Sequence, residues 1–321
     1  MFSLTMPTFS YVVSGSARAK ETLEWLSNDI FGGYEKGTYI YSNVEYAHIN
    51  GTTLHLQVIT PQTRNTKESD EVYPCIVYVQ GAAWMKQNIN AKLGLLARLS
   101  EKGYVIAVVE YRHSGIAPFP AQAIDTRNAI RYMKLHAKEY KADANQMFVA
   151  GDSSGGHTAF FSQLINEDEN VNIYLKECAD MNIYPDVDAS VKGIISLYGA
   201  LSVMLEDGML STLNHHQPDS PEEMEMGGVD LRNNTELCRA MSVECNISEN
   251  VSMPPILMFH GTKDRTINPK VSVVVYEALK KYNKDVNLYL LEGADHGGSE
   301  FFSDDVLDII EEFLQKVISA S

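Results

Sequence analysis

Cysteine is scarce, with four in 321 residues (Cys75, Cys178, Cys238, Cys245) and no Cys-x-x-Cys pair among them. Cys75 falls in an apolar run expected as a buried strand, where a thiol is inert, and the set as a whole suits a reduced, cytoplasmic protein. No apolar run approaches about eighteen residues, so no transmembrane helix is expected. The start, Met1-Phe2-Ser3-Leu4-Thr5-Met6-Pro7, lacks a basic segment followed by an apolar core. No signal peptide is therefore expected, and the sequons Asn50-Gly51-Thr52 and Asn246-Ile247-Ser248 read as chance matches. Basic residues are few, 26 Lys and Arg against 42 Asp and Glu, for a net charge of −16 at pH 7. That balance argues against nucleic acid and anionic membranes as partners. Internal repeats and low-complexity tracts are also missing. What remains is a globular composition, 45% hydrophobic, long enough for one enlarged domain or two ordinary ones.

The most informative stretch is Phe148-Val149-Ala150-Gly151-Asp152-Ser153-Ser154-Gly155-Gly156-His157. It reads as a buried strand, a sharp turn and the start of a helix. The turn holds Gly151-x-Ser153-x-Gly155, the nucleophile-elbow pattern. Small neighbours are needed there because a Cβ would meet the adjacent strand or helix. The helix behind the turn aims free N–H groups and partial positive charge at the serine. Two rival readings fall away. No Lys follows the glycines, which excludes a P-loop. The chymotrypsin-type string Gly-Asp-Ser-Gly-Gly is interrupted by Ser154, and that class also places His and Asp before Ser.

The partners come in the other order, Ser, then Asp, then His. Pro255-Ile256-Leu257-Met258-Phe259-His260-Gly261 reads as a buried parallel strand, and Asp264 lies just past its end. A second strand, 286–291, is followed by the Gly-rich loop that carries His296. Strand ends are where catalytic groups of open α/β sheets gather. His296 is expected to take the Ser153 proton and return it to the leaving group. Asp264 is expected to fix the imidazole tautomer. Taken alone, Asp264 is a loop-capping carboxylate. Asp295 is the competing acid, ranked second because it is adjacent to His296 and cannot easily turn onto its neighbour's ring. Of the other histidines, His260 is expected under the Asp264 loop and His157 in packing. His215 and His216 lack a second pair at ligand spacing, so no metal site is expected.

Oxyanion donors are expected from the N–H groups of Ser154, Ala82 and Ala83. The last two lie in the loop Gln80-Gly81-Ala82-Ala83-Trp84 that follows the strand 75–79. Backbone donors do not require Gly, so both alanines can serve if φ stays negative; a Cβ at positive φ would cost about 1 kcal/mol or more. Gly81, Trp84, Met85 and Phe119 are expected to shape the substrate pocket.

Strand and helix patterns alternate over 75–79, 91–101, 105–110, 121–140, 147–150, 154–165 and 191–198, with a closing helix at 306–318. A hairpin, 44–49 and 54–60, turns at Asn50-Gly51 ahead of them, and 61–70 is expected as a polar loop. The alternation predicts an α/β fold, a mostly parallel central sheet with helices on both faces. Residues 1–40 form a separate N-terminal segment with an expected helix at 19–29; the main domain is 41–321. Its alternation lapses over about 200–252, an acidic, Met-rich insertion expected as a small cap with helices near 221–226 and 237–241. Flexible Met side chains suit an adaptable acyl or aryl pocket, and an acidic rim favours neutral esters.

Three further strings stand at matching places: Tyr111-Arg112-His113-Ser114-Gly115-Ile116-Ala117-Pro118, His260-Gly261-Thr262-Lys263-Asp264 and Asp295-His296. With the elbow and Gly81-Ala82-Ala83-Trp84, the chain from about residue 40 onward resembles the hormone-sensitive-lipase-like branch of the α/β-hydrolases. It is most similar to small bacterial esterases of the acetylxylan and feruloyl type. The resemblance implies a carboxylic-ester hydrolase with no cofactor, acting through an acyl-enzyme on short-chain or aryl esters, including acetyl or feruloyl esters of plant carbohydrates. Gln80 stands where many relatives carry His, which bears on subfamily and not on chemistry. Two other readings are a peptidase of the prolyl-oligopeptidase type, which would need a propeller this chain has no room for, and an inactive binding module, which intact Ser, Asp and His argue against. The expected partner is a small-molecule ester, and a homo-oligomer is compatible with the sequence.

Overall fold

The computed structural model describes residues 36–63, 71–165, 181–204, 211, 215 and 217–320. The expected N-terminal helix at 19–29, Cys178 and Met209 lie outside the described residues. Eight strands form one sheet in the order β1-β2-β4-β3-β5-β6-β7-β8. They are β1 (Lys36–Ile49), β2 (Thr52–Thr63), β3 (Tyr73–Val79), β4 (Val105–Val109), β5 (Ala142–Asp152), β6 (Gly193–Leu197), β7 (Ile256–Gly261) and β8 (Val286–Leu291). β1 and β2 are antiparallel, as are β2 and β4; every other pairing is parallel. The hairpin turn puts Asn50 at φ 50° and Gly51 at φ 80°, the pair of positive values that a two-residue turn requires to match strand twist.

Side-chain alternation sorts the central strands into two cores. Cys75, Val77 and Val79 of β3 face one core with Val105, Ala107 and Val109 of β4. Ile76 and Tyr78 face the other with Ile106 and Val108. Helices cover both faces. On the first lie α2 (Ala121–Leu135), α3 (Ser154–Leu164) and α6 (Lys270–Lys281), contributing Ile124, Phe160 and Val275. On the second lie α1 (Leu93–Glu101) and α7 (Asp304–Ser319), contributing Leu96 and Leu314. A sheet buried on both sides explains the unbroken apolar runs read in the sequence.

Between β6 and β7 the described residues form α4 (Pro221–Glu225) and α5 (Thr235–Ala240). Ser220 caps α4 by accepting the Glu223 N–H. Met226 and Met241 join Val203, Leu231 and Cys238 in a small satellite core that packs on Phe119. No helix of the described residues is long and apolar enough to cross a membrane.

Four expected boundaries move. β1 starts at Lys36 and not at 44, so residues 36–40 of the expected N-terminal segment are an edge strand of the sheet. Residues 61–63 of the expected polar loop extend β2, paired with Lys36 to Thr38. β5 starts at Ala142, earlier than 147, because Tyr73 of β3 pairs with Ala142 before a register shift. The expected helix 121–140 ends at Leu135 and is followed by a 3₁₀ turn, Ala137–Tyr140, closed by Lys141 in the left-handed region.

Candidate active site

The chain runs β3, α1, β4 to one side of β3, then returns through α2 to β5 on the other. The crevice beyond the carboxyl ends of β3 and β5 is thus the switch point of the sheet, where such folds bind ligands. Ser153 sits there, between β5 and α3, at φ 52° and ψ −126°. The elbow is crowded: a Cβ on Gly155 would lie 2.0 Å from the Val79 carbonyl oxygen. The Ser153 carbonyl is fixed by the N–H groups of Gly156 and Ala200, each at 3.0 Å.

β8 and β7 bring the two other expected groups to the same place. Ser153 Oγ is 2.8 Å from His296 Nε2, and His296 Nδ1 is 2.8 Å from Asp264 Oδ2. Asp264 Oδ1 accepts the N–H groups of Thr266 and Ile267, at 2.9 and 2.8 Å. Oδ2 also receives His260 Nε2 at 3.0 Å. Burial works against the Asp264 charge, but the hydrogen bonds from His260 and His296, with the Ile267 N–H, outweigh it and hold the carboxyl well below the usual carboxylate range. His260 is fully buried, with Nδ1 2.7 Å from Ser272 Oγ. Asp295 turns the other way, onto the Arg265 N–H at 3.0 Å and Arg265 Nε at 2.7 Å.

The loop after β3 departs from expectation in two respects. Ala83 is at φ 53° and Trp84 at φ 54°, conformations that cost about 1–2 kcal/mol per residue. The Ala82 N–H, expected to be an oxyanion donor, is taken: it donates to Ser154 Oγ at 3.1 Å, as does the Trp84 N–H. Gly81 N–H donates to Asp152 Oδ1 at 3.1 Å. Among the described residues, the Ala83 and Ser154 N–H groups have no hydrogen-bond partner and remain available to an oxyanion. Gly81 approaches the elbow so closely that a Cβ would lie 2.3 Å from the Asp152 carbonyl oxygen.

A cleft of about 580 Å³ opens over Ser153 and His296, lined also by Gly81, Ala82, Ala83, Lys92, Tyr198, Thr266 and Phe302. Of the four residues expected to shape the pocket, Gly81 lines this cleft and three do not. Trp84 is buried beneath the loop, its Nε1 donating to His157 Nδ1 at 3.3 Å. Phe119 packs on Phe161 and His157, and Met85 is half-exposed with its sulfur accepting from Ser114 Oγ. A large indole gains more from the apolar layer over α3 than from the wet mouth.

His157 continues this contact, its Nε2 donating to the Met241 carbonyl at 2.9 Å. A strut therefore runs from Trp84 through His157 to the end of α5. Burial pushes the His157 imidazole down to about 4, so it is neutral and its two bonds fix one tautomer.

The sequence reading missed Asp152, Lys92 and Tyr198. Asp152 is buried and receives the Tyr78 hydroxyl at 2.7 Å, the Gly81 N–H, the Tyr198 hydroxyl at 3.2 Å and Lys92 Nζ. Tyr198 presents its ring edge-on to His296, centroids 4.9 Å apart. Asp152 beside Ser153 and Tyr198 at a strand end were position signals; Lys92 carried none. Among the described residues no group of three or more His, Cys, Asp or Glu side chains could hold a metal ion.

A family model described as BD-FAE matches residues 61–279. Esterase LipC of Mycobacterium tuberculosis (strain ATCC 25618 / H37Rv) is 26% identical over 226 residues, covering 70% of this chain and 53% of that protein. The chain spans about half the length of the curated relatives it matches. Among solved structures, a truncated carbohydrate esterase from gut microbiota superposes with a TM-score of 0.71 at 21% identity, covering 87% of this chain and 95% of that one. An acetyl ester-xyloside bifunctional hydrolase from Caldicellulosiruptor lactoaceticus gives 0.63 at 19%, covering 84% and 89%. With the sheet order above, these likenesses make the fold that of an α/β-hydrolase.

Proposed function

The chain belongs to the BD-FAE family, and from that premise we propose that it is a serine esterase that hydrolyses neutral carboxylic esters through an acyl-enzyme. The observation that carries the reading is the relay of two 2.8 Å contacts from Ser153 Oγ through His296 to Asp264. In the proposed cycle Ser153 Oγ attacks the ester carbonyl while His296 Nε2 takes its proton. Asp264 holds Nδ1–H and steadies the imidazolium that forms. The negative oxygen is received by the N–H groups of Ala83 and Ser154. His296 then protonates the departing alcohol, and water repeats the sequence to release the acid.

The substrate class belongs to the same proposal. The cleft is lined by Ala82, Ala83 and Phe302 beside the serine, small and aromatic walls that suit a short acyl or an aryl group. The solved neighbours named for carbohydrate and acetyl esters support acetyl groups on carbohydrate as the substrates to try first, with feruloyl esters assayed beside them. The unpaired Cys75 and Cys238 suit a cytoplasmic enzyme. We take about 200–252 as a cap.

Hydrolysis of p-nitrophenyl acetate by the wild type, lost in Ser153→Ala with the fold intact, is the expected result. Labelling by a fluorophosphonate probe that disappears in the same variant separates an enzyme from an inactive module on this fold. A Ser153→Ala protein as active as the wild type would end the proposal.

A further inference from the structure

We infer that the side-chain hydroxyl of Ser154, the residue after the nucleophile, is a positioning residue that sets the oxyanion donors by holding the loop after β3. This rests on the esterase reading above. The Ser154 backbone N–H has a family-wide role as a donor; the hydroxyl is a separate group with separate partners. Its Oγ accepts two backbone N–H groups, Ala82 and Trp84, each at 3.1 Å. The side chain is buried, so the hydroxyl is neither a second nucleophile nor a surface group.

Between those two donors the chain arches through Ala83. Two successive non-glycine residues, Ala83 and Trp84, are held at positive φ, which a free loop would abandon. The arch needs fixed ends. Met85 N–H closes it onto the Ala82 carbonyl at 2.9 Å, and Ser114 N–H holds the Trp84 carbonyl at 2.9 Å. These bonds tie the loop to itself and to the chain after β4. The two bonds to Ser154 Oγ tie it to α3, the element that carries the nucleophile. With the N–H groups on either side of Ala83 engaged by one oxygen, the Ala83 N–H is the loop donor left over. It pairs with the Ser154 N–H to receive the oxyanion.

Alanine at this position would strand the Ala82 and Trp84 N–H groups. Unsatisfied buried donors are expensive, so the loop would turn to find partners and carry the Ala83 N–H off its aim. Complete loss of one oxyanion donor costs about 10²–10³ in kcat, and a displaced donor is expected to cost at least about tenfold.

The test uses the full chain, with wild type, Ser153→Ala, Ser154→Ala and Ser154→Thr side by side. Ser154→Ala is expected to lose at least about tenfold in kcat on p-nitrophenyl acetate with KM near the wild-type value. Its affinity for a trifluoromethyl ketone, which forms a tetrahedral adduct with the nucleophile, should fall by the same factor while Tm stays close to wild type. Ser154→Thr, which restores an Oγ, should recover most of the loss. Amide hydrogen exchange supplies a readout without substrate: the Ala82 and Trp84 amides should be protected in the wild type and lose that protection in Ser154→Ala. An unchanged kcat overturns the inference. So does a loss carried by KM or Tm with ketone affinity intact. Should Ser154→Ala not fold, Ala82 and Trp84 amides exchanging as fast as Ala83 in the wild type would overturn it alone. An inactive wild type instead defeats the esterase reading, and the exchange pattern keeps the two failures apart.

Discussion

Replacing Asp264 by Asn has an outcome that the surrounding hydrogen bonds dictate atom by atom. The native carboxylate accepts four bonds, Thr266 and Ile267 N–H on Oδ1 and His296 and His260 on Oδ2. Asparagine offers a single oxygen. If its NH₂ faced the two backbone N–H groups, both would lose their partner, at about 1–3 kcal/mol each. The oxygen therefore stays on their side, and the NH₂ takes the place of Oδ2 facing two imidazoles. His260 can keep its proton on Nε2, because the Ile267 carbonyl lies 2.9 Å away. His296 adjusts by accepting at Nδ1, which moves its proton to Nε2, directly against Ser153 Oγ at 2.8 Å. In that tautomer the imidazole cannot take the serine proton. A wrong-tautomer triad loses about 10⁴ in kcat, or about 5 kcal/mol of barrier. Steady-state hydrolysis of p-nitrophenyl acetate, with Tm as a folding check, reads it directly. An Asp264→Asn enzyme within about tenfold of the wild-type kcat refutes the assignment of Asp264 as the orienting acid.

Gly155→Ala puts a Cβ 2.0 Å from a backbone oxygen; with no flexible side chain to yield, destabilisation of about 3 kcal/mol or more is expected, read as a lower urea midpoint, and an unchanged midpoint counts against the elbow as drawn. His157 binds a proton in the unfolded chain below about 6.5 but in the fold only below about 4. Its contribution is full above the first value and is lost as pH falls through that window, to roughly 3 kcal/mol in all. In His157→Gln, the fall of Tm between pH 7 and 4 should be shallower. Glu225 is fully buried, neither carboxyl oxygen has a hydrogen-bond partner among the described residues, and burial pushes its pKa well up. Burial favours the protonated form, so its contribution is present below the unfolded value and shrinks as pH rises. Glu225→Gln should raise Tm more at pH 8 than at pH 5, and the reverse trend in calorimetry would contradict that protonation state.

The strands of the central sheet were legible because a two-face-buried parallel strand leaves an unbroken apolar run, as in Cys75–Val79. The first half of β1 was not: it is an edge strand, with Tyr39, Ile40 and Tyr41 substantially exposed, so nothing forces its pattern to alternate. Ser153, Asp264 and His296 were legible because each follows a readable strand and they come in one chain order. The backbone of Ala83 and Trp84 was not legible. Local propensity places alanine and tryptophan at negative φ, and the groups that override it, Ser154 Oγ and the Ser114 N–H, come from distant parts of the chain. Trp84 was misplaced for a related reason: its partner His157 points into the apolar layer, and nothing in a one-dimensional pattern marks that face. Asp152, Lys92 and Tyr198 form one network from a strand end and two loops, and a shared acceptor leaves no periodic trace.

The four donors around Asp152 bear on how the proposed reaction would end. A bare carboxylate one residue from the nucleophile would repel the acid being made, and the chain as a whole is strongly anionic. Lys92 cancels that nearby charge and keeps 22% of its side chain in contact with solvent, against 3% for Asp152. The mouth of the cleft would thus show a carboxylate product of the proposed reaction an ammonium group first and the net field of the protein beyond it. Product release in such a site is a short step past one cation, then a push outward that salt weakens by screening.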